Sequence, residues 1–224
     1  TVTTSTPSAG AGTVTCQATG SCTYTPNTDF TGADSFMYTI SDGTLTAQAR
    51  ACVIVGPHGQ NGYRSTDFVT GFRNSCGNGG VDPIGVAFDT QGRFYVIDRD
   101  TGELNRFGSA GGVISSANQL GGPIPGAPHG LAFSKDGQHL YLARRGSGDV
   151  VELDPETGAI KRVLASIGAA TGLAVDPLSG DLFVSTPYVQ SQIFRIHDPT
   201  SESPTVTSYA GSGADGITFG SDGT

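Results

Sequence analysis

Charged residues are scarce in this sequence, and basic residues are scarcer than acidic ones. Charged side chains make up 14% of the 224 residues, against roughly 25% in an average soluble domain. The sequence holds 12 Lys and Arg against 20 Asp and Glu, which gives a formal net charge of −8. Binding to nucleic acid needs clustered Lys and Arg that neutralise phosphates. The composition therefore excludes nucleic acid as a partner.

Long apolar segments and helical patterns are also missing. No apolar run approaches the ~20 residues of a membrane-spanning helix. No stretch longer than a few residues repeats its apolar side chains at intervals of three and four, as an amphipathic helix does. The sequence begins with TVTTSTPSAGAGTVT, which lacks the basic start and apolar centre of a signal peptide. We therefore predict neither a helical fold nor a membrane span in this segment.

The sequence also lacks the common short motifs of catalysis and metal binding. It contains no CxxC pair and no His residues at zinc-ligand spacing, so a zinc site is not favoured. No nucleophile elbow, phosphate-binding loop or HExxH motif is present. These absences favour a protein that is not an enzyme.

Glycine and proline, by contrast, are abundant, with 34 and 12 residues. Many acidic residues stand singly in turn sequences such as DTQG (89–92), DPETG (154–158) and DPLSG (176–180). Asp side chains in turns accept hydrogen bonds from nearby backbone amides, so turn formation explains most of the negative charge. The composition predicts an all-β fold of short strands joined by tight turns.

The four cysteines predict disulfide bonds. Cys16 and Cys22 flank QATGS in a segment that alternates as a hairpin does, and residues that face each other across a hairpin can meet the ~3.8 Å Cβ separation of a disulfide. Cys52 and Cys76 form the second predicted pair, although four cysteines allow three connectivities. Disulfides form in oxidising compartments, so we expect an extracellular or cell-surface location.

Residues 1–55 carry the pattern of a β-sandwich. Strand-like segments lie at 12–16, 22–26, 34–43 and 45–55, and Phe36, Tyr38 and Ile40 alternate with less apolar neighbours. Alternation with one apolar side is typical of a half-buried strand. We therefore predict an immunoglobulin-like sandwich module in residues 1–55, followed by a linker at 56–62.

The run YTPNTDFTGADSFMYTISDG (24–43) resembles the bacterial cadherin-like and immunoglobulin-like tandem repeats of large surface proteins. Those repeats are longer at their amino end, so we expect one or two strands to be missing before Thr1. The matching residues are Tyr24, Pro26, Asn27, Phe30, Gly32, Asp34, Phe36, Tyr38, Asp42 and Gly43.

This resemblance implies calcium as a candidate cofactor, since members of the family often hold it near module junctions. Calcium takes oxygen ligands from carboxylates and carbonyls, and Asp29, Asp34 and Asp42 are the candidates in this module. The alternative is that Asp34 and Asp42 cap turns by bonding backbone amides.

An internal repeat runs through the rest of the chain. Segments 82–98, 127–144, 169–186 and 213–224 align on Gly85, Gly130, Gly172 and Gly216, which are 45, 42 and 44 residues apart. This period, with β patterning, predicts the four-stranded blades of a β-propeller.

We assign residues 63–224 to an incomplete propeller of about three blades and the start of a fourth. Residues 65–72 are expected to form the outer strand of a preceding blade. Three blades cannot close a ring, because propellers typically use four to eight. We therefore expect the chain to be a piece of a longer protein.

The repeats resemble the NHL and SMP-30/gluconolactonase-like propellers, with some likeness to the streptogramin lyase repeat. The residues that carry the resemblance lie at 85–98 and 130–144, where a Gly and apolar residues precede a polar turn and an alternating strand. The resemblance implies a propeller fold more than an activity, because such propellers host enzymes, binders and scaffolds.

Sites in these propellers lie on the axis, near the start of each innermost strand. The residues before the aligned glycines are Ile84, His129, Thr171 and Asp215, with Asp82 nearby. The lactonase branch holds a metal with Glu, Asn and Asp, but here only Asp215 and Asp82 offer carboxylates. Asp215 is a candidate catalytic residue on that resemblance.

His129 is the other candidate catalytic residue. It lies in PHGLAF, which resembles the Pro-His-Gly pattern of the streptogramin lyase repeat, where His can act as acid or base. The alternative is a channel-lining or structural histidine.

Asp98, Asp100 and Glu103 in DRDTGE have the spacing that begins a calcium loop, so Asp98 and Asp100 are further calcium candidates. The alternative is an Asp-rich turn after a strand. Arg144 and Arg145 form a small basic spot to which we assign no ligand.

These observations favour a non-enzymatic segment of a large secreted or cell-surface bacterial protein, acting as an adhesin, matrix or filament component. The sandwich module would be a spacer and the propeller a binding or packing surface. The expected partners are glycans, other surface proteins or copies of the same chain. The alternative is a propeller enzyme, a metal-dependent lactonase or lyase.

Overall fold

The computed structural model describes residues 2–4, 10–17, 19–56, 66–72, 83–187 and 191–224. The described residues form β-strands and turns without a helix, which confirms the all-β prediction. In particular, none of these segments is a helix with the length and hydropathy needed to cross a membrane. They fall into two compact units, one with the described residues up to Asp67 and one with Phe68–Phe72 and the described residues from Pro83 onward.

The first unit consists of two antiparallel sheets. One sheet has the strand order β1-β4-β5 and the other is the β2-β3 hairpin. In the longest ladder, β4 and β5 pair from Gly32↔Val55 to Ser41↔Thr46. The strands are β1 (Val2–Thr4), β2 (Gly12–Cys16), β3 (Cys22–Pro26), β4 (Gly32–Ser41) and β5 (Thr46–Val55).

A disulfide closes the β2-β3 hairpin. Cys16 and Cys22 are the pair nearest the turn, their sulfurs are bonded, and their Cα atoms lie 4.0 Å apart. The Gln17 N–H donates to the Ser21 carbonyl at 2.8 Å inside the loop. Cys52 is also disulfide-bonded, and its predicted partner Cys76 lies outside the described residues.

The second unit contains three radial sheets, which we call blades. Blade 1 is β7-β8-β9, blade 2 is β11-β12-β13-β14 and blade 3 is β15-β16-β17-β18, and each pairs antiparallel in chain order. Blade 1 comprises β7 (Pro83–Phe88), β8 (Phe94–Asp98) and β9 (Leu104–Phe107); blade 2 comprises β11 (Pro128–Phe133), β12 (Leu140–Arg144), β13 (Asp149–Leu153) and β14 (Ile160–Ser166); blade 3 comprises β15 (Leu173–Val175), β16 (Leu182–Thr186), β17 (Gln192–His197) and β18 (Thr205–Ala210).

Blade 1 lacks a regular fourth strand among the described residues. The fourth position holds only an isolated bridge between Asn105 and Gln119. After β9 the chain turns through Gly111, whose φ is +70° and whose N–H donates to the Gly108 carbonyl. Gly112 and Val113 (β10) then pair in parallel with Val69 and Thr70 (β6). The segment expected as an outer strand of a preceding blade therefore pairs with the chain that leaves blade 1.

Alternate side chains of each second strand pack against different neighbours. In β12, Leu140 and Leu142 share a core with Tyr95 and Ile97 of blade 1, whereas Tyr141 and Ala143 share a core with Leu182 and Val184 of blade 3. Both faces of a blade are therefore buried. This explains why the second strands are apolar at nearly every position rather than at every other one.

The aligned glycines lie where consecutive innermost strands approach each other. A Cβ on Gly85 would collide with the His129 carbonyl, and one on Gly130 with the Thr171 carbonyl. A Cβ on Gly172 would lie 2.8 Å from the Asp215 carbonyl. Gly85, Gly130 and Gly172 thus each lie against the residue that precedes the next aligned glycine, which places the blades in series about a common centre.

Residues 213–219 continue this series beyond blade 3. The Phe219 ring packs on Phe183 with centroids 5.0 Å apart and planes at 71°. Phe133 of blade 2 packs on Tyr95 of blade 1 with the same separation and angle. Residues near Phe219 therefore take the position of an innermost strand against blade 3, which supports the interpretation of this segment as the start of a fourth blade.

Candidate binding cavity

A cavity of about 480 Å³ lies where the innermost strands of the second unit begin. Its volume is within the range of ligand pockets in proteins, about 300–1,000 Å³. The lining residues come from each blade and from the segment after blade 3, and they are Ile84, Gly85, Val86, Arg99, His129, Gly130, Leu131, Arg145, Thr171, Gly172, Leu173, Asp215, Gly216 and Ile217.

The structure brings together the four residues that precede the aligned glycines. Ile84, His129, Thr171 and Asp215 all line this cavity. The reason is the repeat itself, because His129, Thr171 and Asp215 are the residues against which Gly85, Gly130 and Gly172 pack. Asp82, the other carboxylate considered from the sequence, lies outside the described residues.

His129 is buried at the cavity wall, with 6% of its surface exposed. Its Nδ1 lies 3.0 Å from the Ala127 carbonyl oxygen. A carbonyl oxygen only accepts hydrogen bonds, so Nδ1 carries the proton and Nε2 is the ring nitrogen left for a ligand. The ring is therefore held in one orientation by the backbone of the segment that leads into β11.

Thr171 and Asp215 differ in their surroundings. Thr171 is buried and its hydroxyl donates to the Ser185 carbonyl at 3.2 Å. Asp215, in contrast, is exposed. Asp215 is the only carboxylate among the described residues of the lining. A lactonase-like set of Glu, Asn and Asp ligands is therefore not assembled by the described lining residues.

Two arginines complete the polar part of the cavity. Arg99 and Arg145 each follow the last residue of a second strand, β8 or β12. Second strands run antiparallel to innermost strands, so their ends lie beside the starts of the innermost strands, as in the pairs Pro83↔Asp98 and Pro128↔Arg144. Sequence reasoning noted Arg145 only as part of a basic spot and missed Arg99. The repeat alignment held the signal, because both residues occupy the same place in their blades.

The calcium candidates of the second unit form a turn. Asp98 is buried, and its Oδ1 accepts the N–H groups of Asp100 and Thr101 at 2.9 and 2.8 Å. The Asp100 carboxylate accepts a hydrogen bond from Arg99 Nε at 3.3 Å. This arrangement matches the alternative of an Asp-rich turn after a strand.

The calcium candidates of the first unit also bond locally. Asp34 is buried and accepts from the Tyr24 hydroxyl at 2.8 Å and from the Ser35 N–H at 2.7 Å. Burial and this contact raise the pKa of Tyr24 above its ordinary value. Asp42 Oδ1 accepts the N–H groups of Leu45 and Thr44, each at 2.8 Å, and these bonds lower the pKa of Asp42.

Asp29 has a left-handed backbone with φ +61° and is exposed. Across the described ranges, no three His, Cys, Asp or Glu side chains form a cluster that could hold a metal ion. Calcium binding by these residues stays a prediction.

The two units define the class of the molecule, an all-β protein that carries a sandwich module and part of a propeller in one chain. The family model of a bacterial cadherin-like domain matches residues 1–57. A search of curated proteins found no match to the chain.

Several solved structures resemble the chain. A chain of the nidogen/laminin complex matches with a TM-score of 0.52 and 16% identity, over 86% of this chain and 64% of that one. Hydrazine synthase from Kuenenia stuttgartiensis matches with a TM-score of 0.51 and 11% identity, over 67% and 43%. Virginiamycin B lyase from Staphylococcus aureus matches with a TM-score of 0.47 and 19% identity, over 64% and 47%.

These similarities concern the fold. The nidogen/laminin match supports the propeller-type architecture described above, and at such identities none of the matches shows anything about activity. The chain spans between 43% and 64% of the length of the solved chains that it matches.

Proposed function

We propose that this chain belongs to a secreted or cell-surface bacterial protein that acts as an adhesin, matrix or filament component. The single observation that carries the proposal is the cadherin-like match over residues 1–57, in the same chain as a propeller-type unit. The hairpin disulfide supports an oxidising, extracellular setting. In this proposal the module is a spacer and the propeller presents the binding surface.

The expected partner is a glycan or a protein at the cell surface, or another copy of the chain. A concave pocket with a few polar groups is the default binding site of an uncharacterised structure. The cavity fits that description, since glycines and apolar residues surround His129, Thr171 and Asp215.

Surface labelling of the source bacterium tests this proposal. Antibodies against the 224-residue chain should label intact cells or their extracellular matrix without permeabilisation. A deletion strain should adhere or aggregate less, and expression of the full gene should restore adhesion. Labelling that appears only after permeabilisation would contradict the proposal.

A lactone-hydrolysis assay, with and without a chelator, tests the proposal that the protein is not an enzyme. The lining described here offers a single carboxylate, so we expect no turnover above the uncatalysed rate. Chelator-sensitive hydrolysis by the complete protein would instead support the lactonase alternative.

A further inference from the structure

The sequence contains Asp-Gly pairs, and one of them differs from the rest in its hydrogen bonds. The pairs are Asp42–Gly43, Asp136–Gly137, Asp215–Gly216 and Asp222–Gly223. We propose that Asp215 is a site of spontaneous modification, at which aspartate converts to isoaspartate through a succinimide formed with Gly216, and that the fold selects it over the other three pairs. Both residues line the cavity, so the modification changes the cavity wall.

The reaction needs a free backbone nitrogen and a free carboxyl group. The Gly216 nitrogen attacks Cγ of Asp215, so that a C–N bond forms and one carboxyl oxygen leaves as water with the proton of the nitrogen and the proton of the acid. Water then adds to one of the two carbonyls of the five-membered ring and breaks its C–N bond. Hydrolysis at the original main-chain carbonyl leaves isoaspartate, and hydrolysis at Cγ restores aspartate. The water lost in the first step is regained in the second, so no other reactant is consumed.

Both reacting groups of Asp215–Gly216 are free. Asp215 and Gly216 are exposed, and in the described ranges the Asp215 carboxylate has no hydrogen-bond or ion-pair partner. The Gly216 N–H likewise donates to no group that the structure describes. A Cβ on Gly216 would meet no atom within 4 Å, so the space beside this glycine is open. Nothing has to be broken before the nitrogen attacks.

In the other three pairs, hydrogen bonds hold both reacting groups. Each glycine N–H donates to an oxygen earlier in its turn, at 2.8 to 3.1 Å: Gly43 to the Ser41 hydroxyl, Gly137 to the Ser134 carbonyl and Gly223 to the Gly220 carbonyl. Each carboxylate accepts two hydrogen bonds: Asp42 from the Thr44 and Leu45 N–H groups, Asp136 from the Ser134 hydroxyl and the Gln138 N–H, and Asp222 from the hydroxyl and N–H of Thr224. These bonds hold the pKa of all three carboxyl groups below the ordinary 3.8. At a given pH, less of each is therefore in the neutral acid form that the nitrogen attacks.

Isoaspartate lengthens the main chain by one carbon atom at a close contact. A Cβ on Gly172 would lie only 2.8 Å from the Asp215 carbonyl, and a few residues later the Phe219 ring packs on Phe183. An additional backbone carbon between these two contacts shifts one of them against the other. We therefore expect the modification to loosen the segment 213–219 from blade 3.

Peptide mapping of the aged 224-residue chain tests the proposal. The folded protein is incubated at pH 6 and 37 °C, and electron-transfer fragmentation of its peptides distinguishes isoaspartate from aspartate. We expect at least about tenfold more isoaspartate at Asp215 than at any of the other three sites, because each of those must first break hydrogen bonds of ordinary strength. Equal amounts at all four sites would overturn the inference, as would none at Asp215 after a time in which the unfolded chain has reacted.

The unfolded chain is the control for intrinsic reactivity. In guanidinium chloride the hydrogen bonds of the turns are absent, and all four pairs have the same Asp-Gly chemistry. We expect the four sites to react there at similar rates. A preference for Asp215 that persists in the denaturant would come from the flanking sequence and would refute selection by the fold.

Substitution of the attacking residue tests the chemistry. Gly216→Ala should slow the modification at least severalfold, because a methyl group on Cα hinders attack by the nitrogen beside it. The substitution fits the fold, since the space is open and Gly216 does not have a positive φ. Gly122→Ala, at another open glycine, is the matched control and should leave the rate unchanged. An unchanged rate in Gly216→Ala would show that the Gly216 nitrogen is not the attacking group and would overturn the inference.

Discussion

At the scale of single residues, three of the four aligned glycines, Gly85, Gly130 and Gly172, are a steric requirement of the propeller. The Gly130 N–H donates to the Thr171 carbonyl at 2.9 Å, and a Cβ at Gly130 would collide with that same oxygen. The residue must therefore present its backbone alone to the next innermost strand. This contact explains why a glycine recurs at intervals of 42 to 45 residues in the sequence.

We predict that Gly130→Ala destabilises the propeller unit by about 1–3 kcal/mol, the usual cost of forcing an extra methyl group into a packed site. Urea denaturation monitored by circular dichroism measures the change. Gly122→Ala is the matched control, because a Cβ there meets no atom within 4 Å, and we expect an effect within ~0.5 kcal/mol. Similar stabilities for the two variants would show that the blades do not pack through Gly130.

At the scale of elements, a charged cluster crosses the outer strands of blade 2. Glu152 on β13 is 3% exposed and accepts from Arg162 Nε at 2.7 Å, with His139 Nδ1 at 2.8 Å and Lys161 Nζ at 3.3 Å. Arg162 also donates to the Pro199 carbonyl of blade 3 at 2.7 Å. One buried carboxylate thus orients the side chain that links two blades.

The pKa of Glu152 follows from these contacts. Burial acts to raise it, but hydrogen bonds from His139, Arg162 and Lys161 outweigh burial and hold it below the ordinary 4.5. A carboxylate with a depressed folded-state pKa contributes stability that is complete above its ordinary pKa and is lost as the pH falls through the depressed value.

We therefore predict that Glu152→Gln lowers the free energy of unfolding by about 1–3 kcal/mol at pH 7. The difference from the unsubstituted protein should shrink as the pH falls below 4.5. Urea denaturation at a series of pH values measures both the loss of stability at pH 7 and its dependence on pH. Glu156→Gln serves as the control, since Glu156 is 58% exposed and should cost less than about 1 kcal/mol. A difference that stays constant with pH would contradict this account.

The strands of blades 2 and 3 could be predicted from the sequence, but the edge of blade 1 could not. The apolar segments of β12 and β16 mark these blades in the sequence, because their side chains fill the cores between blades. The β6–β10 pair consists of two residues in each strand, which is too short to leave a pattern. Its position depends on where Phe68 packs, and the Phe68 ring lies 5.2 Å from that of Phe94.

Only part of the cavity lining could be predicted from the sequence. Positions before the aligned glycines follow from the repeat, so His129, Thr171 and Asp215 were expected on the axis. Arg99 and Arg145 depend on the register between innermost and second strands, and register is set by bulges as well as by pattern. Both registers shift near Pro83 and Pro128, so a comparison of the two repeats, and no pattern within either one, could have found these arginines.

At the scale of the whole molecule, the chain holds two compact units that are stabilised by different means. The propeller unit has extensive apolar cores between its blades. The first unit has few buried apolar side chains among the described residues, chiefly Ala11 and Phe36. A small core needs a covalent constraint, and the Cys16–Cys22 disulfide provides one.

We therefore predict that the double substitution Cys16→Ser and Cys22→Ser destabilises the first unit and leaves the second unchanged. A loop with a sequence separation of 6 corresponds to about 2 kcal/mol of lost constraint on the unfolded chain. Hydrogen exchange read by mass spectrometry should show faster exchange in β2 to β5 and unaltered exchange in β11 to β18. The control is Thr15→Ser with Thr23→Ser, the adjacent cross-strand pair, which keeps the disulfide and should change exchange much less. Faster exchange in both units, or in neither, would contradict the prediction that the Cys16–Cys22 disulfide stabilises the first unit alone.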